Sequence, residues 1–189
     1  MFVANLGNAW LDLGESGRAI DCYRQSLAIY PDAPATHSNL IFALQYDSRI
    51  SREEIAIAHR EWGERFGGEP AEPAERPEYD GQRSLRVGFL SADFRYHPVG
   101  RMASAVWQHL DREGVTPIVY DNSSDETPTK QRYRDLVESW HNIAGQSDAE
   151  VVQLIRSDRL DVLLDFSGHT SGNRLGVLEH KADPVQASL

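Results

Sequence analysis

Residues 85–100, with the sequence LRVGFLSADFRYHPVG, give the clearest indication of the fold of the chain. They begin as a short apolar run that favours a β-strand, LRVGFLSA, and continue into a polar loop that contains an acid and a histidine. The next residues, HPVGRMASAVWQHL, are typical of a helix with Met102, Val106 and Leu110 on its apolar face. A strand, a polar loop and a helix in this order indicate the first part of a βαβ unit.

The alternation of strands and helices continues to the end of the sequence. TPIVYD is a second strand, and LDVLLDF is the most apolar strand of the chain. Two capping signals, Thr127-Pro128 and the box Ser147 to Glu150, predict intervening helices. The inner residues of these helices are predicted to be Tyr133, Leu136, Val137 and Trp140 in the first and Val151, Leu154 and Ile155 in the second. Residues 84–189 are therefore predicted to form a Rossmann-like α/β domain, with helices on both faces of a parallel sheet.

Two polar loops that contain glycine follow predicted strands. The first, residues 91–100, carries Asp93 and His97, and the second, residues 167–174, has the sequence SGHTSGNR. Either loop alone is best interpreted as a turn, with Asp93 or the threonine as a cap. In open parallel sheets, however, ligands bind beyond the carboxyl ends of the strands, and both loops are predicted at that edge. Their combination favours a binding or catalytic site.

The N-terminal residues show the spacing of a tetratricopeptide repeat. The matching positions are Val3, Leu6, Gly7, Trp10, Gly14, Ala19, Tyr23 and Pro31, with Val3 in place of the opening tryptophan. Gly7 and Ala19 would let two helices approach, and Tyr23 would fill the gap between them. An ordinary amphipathic helical hairpin is the alternative, but it does not require small residues at positions 7, 14 and 19 together.

Further helices and a linker are predicted between the repeat and the α/β domain. Pro34 begins a helical stretch that resembles the first helix of a degenerate repeat, and Ser51 to Glu54 form the capping box of the next helix. His59 on that helix is interpreted as a packing or solvent-facing residue. Residues 1–68 are thus the repeat and its following helices, and residues 69–83, rich in Pro and Glu, are predicted to be a linker.

The composition is that of a globular protein with an acidic surface. The 189 residues are 40% hydrophobic and 25% charged, and the formal net charge is −10. This charge would repel a phosphate backbone, so nucleic acid is not an expected partner. Cys22 is the single cysteine, which excludes an internal disulfide. No secretory leader or apolar stretch of about 18 residues is visible, so we expect a cytoplasmic chain without membrane attachment.

The sequence lacks the short motifs of several common cofactor sites. No GxGxxG follows the first strand and no GxxxxGK[ST] is present, so neither a dinucleotide fingerprint nor a P-loop is indicated. The histidines lack HExxH spacing, and the Asp125-Glu126 pair is interpreted as solvated. We therefore expect neither a metal nor a cofactor.

The two loops and their surroundings resemble a known family. A tetratricopeptide segment, a Pro-rich linker, RVGFLSADFRYHPVG, DVLLDFSGHTSGNR and ADPVQASL together resemble the bacterial branch of the O-linked N-acetylglucosamine transferases, glycosyltransferase family 41. The resemblance covers nearly the whole chain. It implies a GT-B enzyme with two Rossmann-like lobes, which glycosylates proteins by transferring N-acetylglucosamine from UDP-N-acetylglucosamine to Ser or Thr hydroxyls. This transfer inverts the anomeric centre without a metal, and the repeats deliver the polypeptide acceptor.

The resemblance also assigns roles to individual residues. It implies that His97 or Asp93 is the catalytic base and that Pro98 shapes the same loop. Substrate contacts are implied for Val99 and for the second motif, which contributes Gly168, His169, Thr170 and Arg174. Tyr96, Val99 and His169 differ from the residues of animal relatives, so the acceptor contacts of this chain need not be theirs.

Chemistry alone does not choose between the two candidate bases. Attack by a hydroxyl on the anomeric carbon benefits from a nearby proton acceptor, and an imidazole is a stronger base than a carboxylate. The second lobe, which in this family holds most of the nucleotide sugar, is expected to be missing after ADPVQASL, so we expect the 189 residues alone to be inactive. Two other functions stay open: a peptide-binding repeat module without catalysis, and a related O-fucosyltransferase.

Overall fold

The computed structural model describes residues 2–67, 79 and 81–189, and these residues form two compact units. The first unit contains Met1–Gly67 and His169–Ser171, and the rest of the described chain forms the second unit. The predicted linker lies mostly outside the described residues, since only 79 and 81–83 of its positions are described.

Four helices make up the main part of the first unit. They are α1 (Phe2–Asp12), α2 (Ser16–Ile29), α3 (Pro34–Leu44) and α4 (Arg52–Phe66). Their shared core contains the buried residues Ala19, Ile20, Tyr23, Ala43 and Leu44. The predicted capping box of α4 is confirmed, because Ser51 Oγ accepts from the Glu54 amide while the Glu54 carboxylate accepts from the Ser51 amide.

A glycine on α1 allows α1 and α2 to approach each other closely. A Cβ on Gly7 would lie 2.6 Å from Cε1 of Tyr23, too close for any larger side chain without a shift. The Tyr23 hydroxyl donates to Asn8 Oδ1 at 2.8 Å, and burial of the phenol raises the pKa of Tyr23 to about 12. The predicted role of Tyr23 between the two helices is confirmed.

The second unit is a parallel α/β structure, as predicted. Its elements in chain order are β1 (Leu85–Ser91), α5 (Pro98–His109), β2 (Val115–Asp121), α6 (Pro128–Arg134), β3 (Ser139–Asn142), α7 (Asp148–Asp158), β4 (Val162–Asp165), α8 (Leu175–Glu179) and β5 (Gln186–Ser188). The strands pair in parallel in the order β3-β2-β1-β4-β5. All five carboxyl ends therefore lie at one edge.

Successive residues of the central strand supply the cores on the two faces of the sheet. Phe89 of β1 packs into an aromatic cluster with Phe94, Trp107 and Tyr133. Its neighbour Leu90 packs into a mainly aliphatic cluster on the opposite face, which contains α7 residues such as Val151 and Ile155 and residues of β2 and β4. Because side chains alternate along a strand, β1 belongs to both clusters and is covered on both sides.

Two sequence predictions about the helices were wrong in detail. On α5, Met102 and Val106 are 53% and 46% exposed, whereas Ala103 and Trp107 are fully buried. The large indole of Trp107 fills the aromatic cluster, and the small Ala103 lets the helix approach the sheet, so these two residues set the buried face.

The second difference concerns the region after α6. This helix ends at Arg134, and the following segment contains a strand, β3, that the sequence analysis did not predict. Trp140, expected on the helix, lies on this strand and still packs on the aromatic cluster. Among the helices that the structure describes, none combines the length and apolar character needed to cross a bilayer.

Candidate active site

Buried polar side chains end three adjacent strands at the carboxyl edge of the sheet. Ser91 ends β1, Asp121 ends β2 and Asp165 ends β4, and all three are almost completely buried. Ser91 is in register with Asp121, and Leu90 with Asp165. Buried carboxylates need hydrogen-bond partners, and at this edge the partners come from the loops that follow the strands, from α6 and from β5.

The loop after β1 is anchored at both of its ends. Ser91 Oγ accepts from the Asp93 amide at 3.1 Å, and Phe94 is fully buried in the aromatic cluster. Arg95 donates to Asp93 Oδ1 through Nε and Nη2, at 3.3 and 3.1 Å. The Asp93 carboxylate therefore already has a cationic partner, and the side chain is largely buried.

His97 lies where this loop becomes helix α5. It is the N-cap residue, with Pro98 as the first residue of the helix, and its Nδ1 accepts from the Val99 amide at 3.3 Å. Nδ1 is 3.9 Å from Asp93 Oδ2, so the predicted acid and imidazole are neighbours without a hydrogen bond. The His97 side chain is 39% exposed, while Val99 packs on the aromatic cluster. His97 thus has an accessible ring.

The start of the loop after β4 is held by Asp165. This carboxylate accepts from the amides of Ser167 and Gly168 at 3.1 and 2.8 Å, and from Ser188 Oγ at 2.7 Å. Gly168 has a φ of +50°, a conformation that side chains rarely adopt. Asp165 was not among the predicted site residues, since its partner on β5 is 23 residues away in the chain.

The loops after β1, β2 and β4 contact one another within the second unit. Ser91 Oγ is 3.1 Å from Ser167 Oγ, and a Cβ on Gly172 would lie 2.8 Å from that of Ala92. Asn122, which follows β2, donates to the Gly172 carbonyl at 2.9 Å. The predicted placement of these loops at one edge of the sheet is confirmed for the residues of this unit.

Arg174 is held away from free solvent by two partners at the start of α7. Its Nε is 3.0 Å from Asp148 Oδ1, and its Nη2 donates to the Gln146 carbonyl at 2.8 Å. Because the guanidinium is already paired, this geometry fits a role in holding the loop in place.

His169 and Thr170 are the predicted site residues that belong to the first unit. His169 Nδ1 is 3.0 Å from Ser38 Oγ, and its ring lies 4.8 Å from the His59 ring and 5.2 Å from the Trp62 ring. Burial, together with the neighbouring His59, lowers the pKa of His169 to about 4. His59 was interpreted as a simple packing or solvent-facing residue, but it contacts a predicted site residue.

A buried ion pair that the sequence analysis also missed lies after β2. Lys130 Nζ is 2.6 Å from Asp121 Oδ2 and 2.5 Å from Ser123 Oγ, and both charged side chains are fully buried. Burial raises the pKa of Asp121, and the Lys130 ammonium acts in the opposite direction. This network fixes the loop after β2 against the start of α6.

Within residues 2–67, 79 and 81–189, no three His, Cys, Asp or Glu side chains lie close enough together to hold a metal ion.

Comparison with known proteins identifies the class of enzyme to which this chain belongs. Glycosyl transferase family 41 matches residues 37–189, which include both loops. The chain is 29% identical over 181 residues to the probable UDP-N-acetylglucosamine–peptide N-acetylglucosaminyltransferase SPINDLY of Oryza sativa subsp. japonica, covering 89% of this chain and 19% of the relative. It is 28% identical over 152 residues to the probable transferase of the same type named SEC from Arabidopsis thaliana, covering 78% of this chain and 15% of the relative.

A solved structure extends the similarity to the three-dimensional fold. A mutant of the Thermobaculum terrenum O-GlcNAc transferase matches with a TM-score of 0.91 and 30% sequence identity, over 99% of this chain and 36% of that protein. The chain belongs to glycosyl transferase family 41. It spans about a fifth or less of the curated relatives described above.

Proposed function

We propose that this chain forms the acceptor-side half of the active site of a protein O-glycosyltransferase. The proposed reaction moves N-acetylglucosamine from UDP-N-acetylglucosamine to a Ser or Thr hydroxyl, with inversion and without a metal. The observation that carries the proposal is the match of nearly the whole chain to the O-GlcNAc transferase of Thermobaculum terrenum, in both sequence and fold.

The geometry of the carboxyl edge supports this reaction. An inverting transfer needs groups that orient a hydroxyl and accept or donate hydrogen bonds around the anomeric carbon. The loop after β1 presents a half-exposed imidazole at His97, and the Asp93 carboxylate lies 3.9 Å from its Nδ1. Buried side chains at the strand ends hold this loop, so the groups are positioned before a substrate arrives.

We further propose a GT-B arrangement for the whole protein. We propose that the second unit is the N-terminal Rossmann-like lobe and that the helices α1 and α2 form a tetratricopeptide repeat that contacts the polypeptide acceptor. A second lobe, supplied by the whole protein, would hold most of the nucleotide sugar.

A chimera tests the proposed transfer directly. The chain would replace the matching 36% of the Thermobaculum terrenum enzyme. Transfer of radiolabelled N-acetylglucosamine from UDP-N-acetylglucosamine to a serine peptide would be measured. We expect transfer by the chimera and a loss of at least about tenfold in kcat/KM for Asp93→Asn. Asp135→Asn, at an exposed position outside the proposed site and the proposed repeat, is the matched control and should leave the rate unchanged.

Two results would overturn the proposal. A folded chimera that binds the peptide but transfers no sugar would favour a peptide-binding module. In the whole protein that contains this chain, with its own second lobe, transfer from GDP-fucose in place of UDP-N-acetylglucosamine would favour an O-fucosyltransferase. A panel of nucleotide sugars with the same peptide distinguishes these outcomes.

A further inference from the structure

The hydrogen bond at the start of α5 determines which nitrogen of His97 carries a proton. A helix begins with backbone amides that have no partner inside the helix. Pro98, the first residue of α5, has no amide hydrogen, so the Val99 amide is the first that needs an acceptor. His97 Nδ1 lies 3.3 Å from the Val99 nitrogen and supplies this acceptor.

A backbone amide can only donate, and this fact fixes the tautomer of the ring. When Nδ1 of a neutral imidazole accepts a hydrogen bond, the hydrogen of the ring is on Nε2. Asp93 does not compete for Nδ1, because its Oδ2 is 3.9 Å away and its Oδ1 accepts from Arg95. Nε2 of this partly exposed ring is thus a hydrogen-bond donor.

We propose that His97 acts on the substrate as a hydrogen-bond donor through Nε2, and that it is not the group that accepts the proton of the acceptor hydroxyl. This inference rests on the proposed function. To act as a base through Nε2, the ring would need the other tautomer, in which Nδ1–H faces the Val99 amide and the cap is lost. The matching ligand group is an oxygen acceptor, either a phosphate oxygen of the nucleotide or a carbonyl oxygen of the polypeptide.

Nitrogen NMR on the 189-residue chain tests the tautomer without any assay of transfer. The chain would be labelled with ¹⁵N-histidine, and the His97 signals would be assigned by their loss in His97→Asn. At a pH where the ring is neutral, we expect a protonated Nε2 and an unprotonated Nδ1. A protonated Nδ1 would overturn the inference.

Two isosteric variants of the chimera test the role in transfer. The oxygen of Asn in His97→Asn can replace Nδ1 as the cap acceptor, but Asn has nothing at the position of Nε2. The amide of Gln in His97→Gln keeps a donor near that position. A donor role predicts that His97→Gln keeps about tenfold more kcat/KM than His97→Asn, the value of one good hydrogen bond. Equal losses would overturn the donor role, because neither amide can accept a proton.

The Michaelis constants identify the ligand, and circular dichroism checks folding. A rise in KM for UDP-N-acetylglucosamine in His97→Asn indicates the phosphate oxygen, and a rise in KM for the peptide indicates the carbonyl. His109→Asn, at an exposed position on the same helix, is the control. If the chimera transfers no sugar at all, the proposed function fails, while the NMR result still decides the tautomer.

Discussion

At the scale of single residues, the carboxylates that end the strands do more for the candidate site than the sequence suggested. Asp93 and His97 could be predicted because both lie in one short loop of unusual composition. Asp165 and Lys130 could not, because their importance depends on partners that only the fold brings near, such as Ser188 for Asp165. A buried ionised side chain is recognised by its hydrogen bonds, and these are not visible in a single sequence.

Asp165→Ala should weaken the second unit substantially. The change removes the acceptor of the Ser167 and Gly168 amides and of the Ser188 hydroxyl at this largely buried edge. We expect the free energy of unfolding to fall by about 2 to 4 kcal/mol. Asp165→Asn keeps one oxygen acceptor and should lose clearly less. Urea denaturation of both variants measures the difference, and equal losses would contradict the role of these hydrogen bonds.

At the scale of secondary-structure elements, caps and most strands were predicted correctly from local sequence, but the packing of the helices was not. The capping boxes before α4 and α7 were predicted correctly, and so were the strands β1, β2 and β4, because caps and short apolar runs are visible in neighbouring residues. The four-residue strand β3 was missed because it is too short to show alternation. The buried face of α5 was misjudged because spacing alone does not rank Trp107 above Met102.

The buried face of α5 can be tested by comparing two substitutions to alanine, one on the buried face and one on the exposed face. Trp107→Ala removes a fully buried indole from the aromatic cluster and should cost about 3 to 5 kcal/mol. Met102→Ala changes a side chain that is half exposed and should stay within about 0.5 kcal/mol. Thermal or urea unfolding measures both. A larger loss of stability for Met102→Ala than for Trp107→Ala would support the face predicted from sequence.

The start of α5 also depends on a glycine that the loop needs. A Cβ on Gly100 would overlap the carbonyl oxygen of Arg95 and lie 2.9 Å from its nitrogen, both backbone atoms. We expect Gly100→Ala to cost about 1 to 3 kcal/mol because the loop must shift.

Gly63 on α4 is the matched control for Gly100. Nothing lies within 4 Å of a Cβ added there, so Gly63→Ala should stabilise the helix by about 0.5 to 1 kcal/mol. Chemical denaturation compares the two variants, and a neutral effect of Gly100→Ala would contradict the close approach.

At the scale of the whole molecule, the partly buried His169 and the buried Asp183 make stability depend on pH in opposite directions. His169 has a pKa of about 4 when folded, below the usual value of about 6.5, so between these values the unfolded chain binds the extra proton. Stability is therefore lost as the pH falls through this range. Burial raises the pKa of Asp183 to about 6, so the folded chain takes up this proton first and gains stability as the pH falls below 6.

Single variants separate the contributions of His169 and Asp183 to the pH dependence of stability. His169→Asn should lessen the loss of stability between pH 6.5 and 4 that wild type shows, and Asp183→Asn should remove the compensating gain and make the loss steeper. Urea midpoints measured at several pH values for wild type and both variants check the signs. A shift of both variants in the same direction would contradict the assignment.

The alternation of β1 between two cores sets a limit on how this chain can change. Phe89 and Leu90 are neighbours, yet they belong to clusters on opposite faces of the sheet. Deleting one codon in this strand would turn every later strand residue to the wrong side, placing an aliphatic among aromatics and the reverse. Insertions beyond Ser91 have no such effect on the strand. A change of length within the strand therefore disturbs both cores at once, whereas a change after it leaves both cores intact.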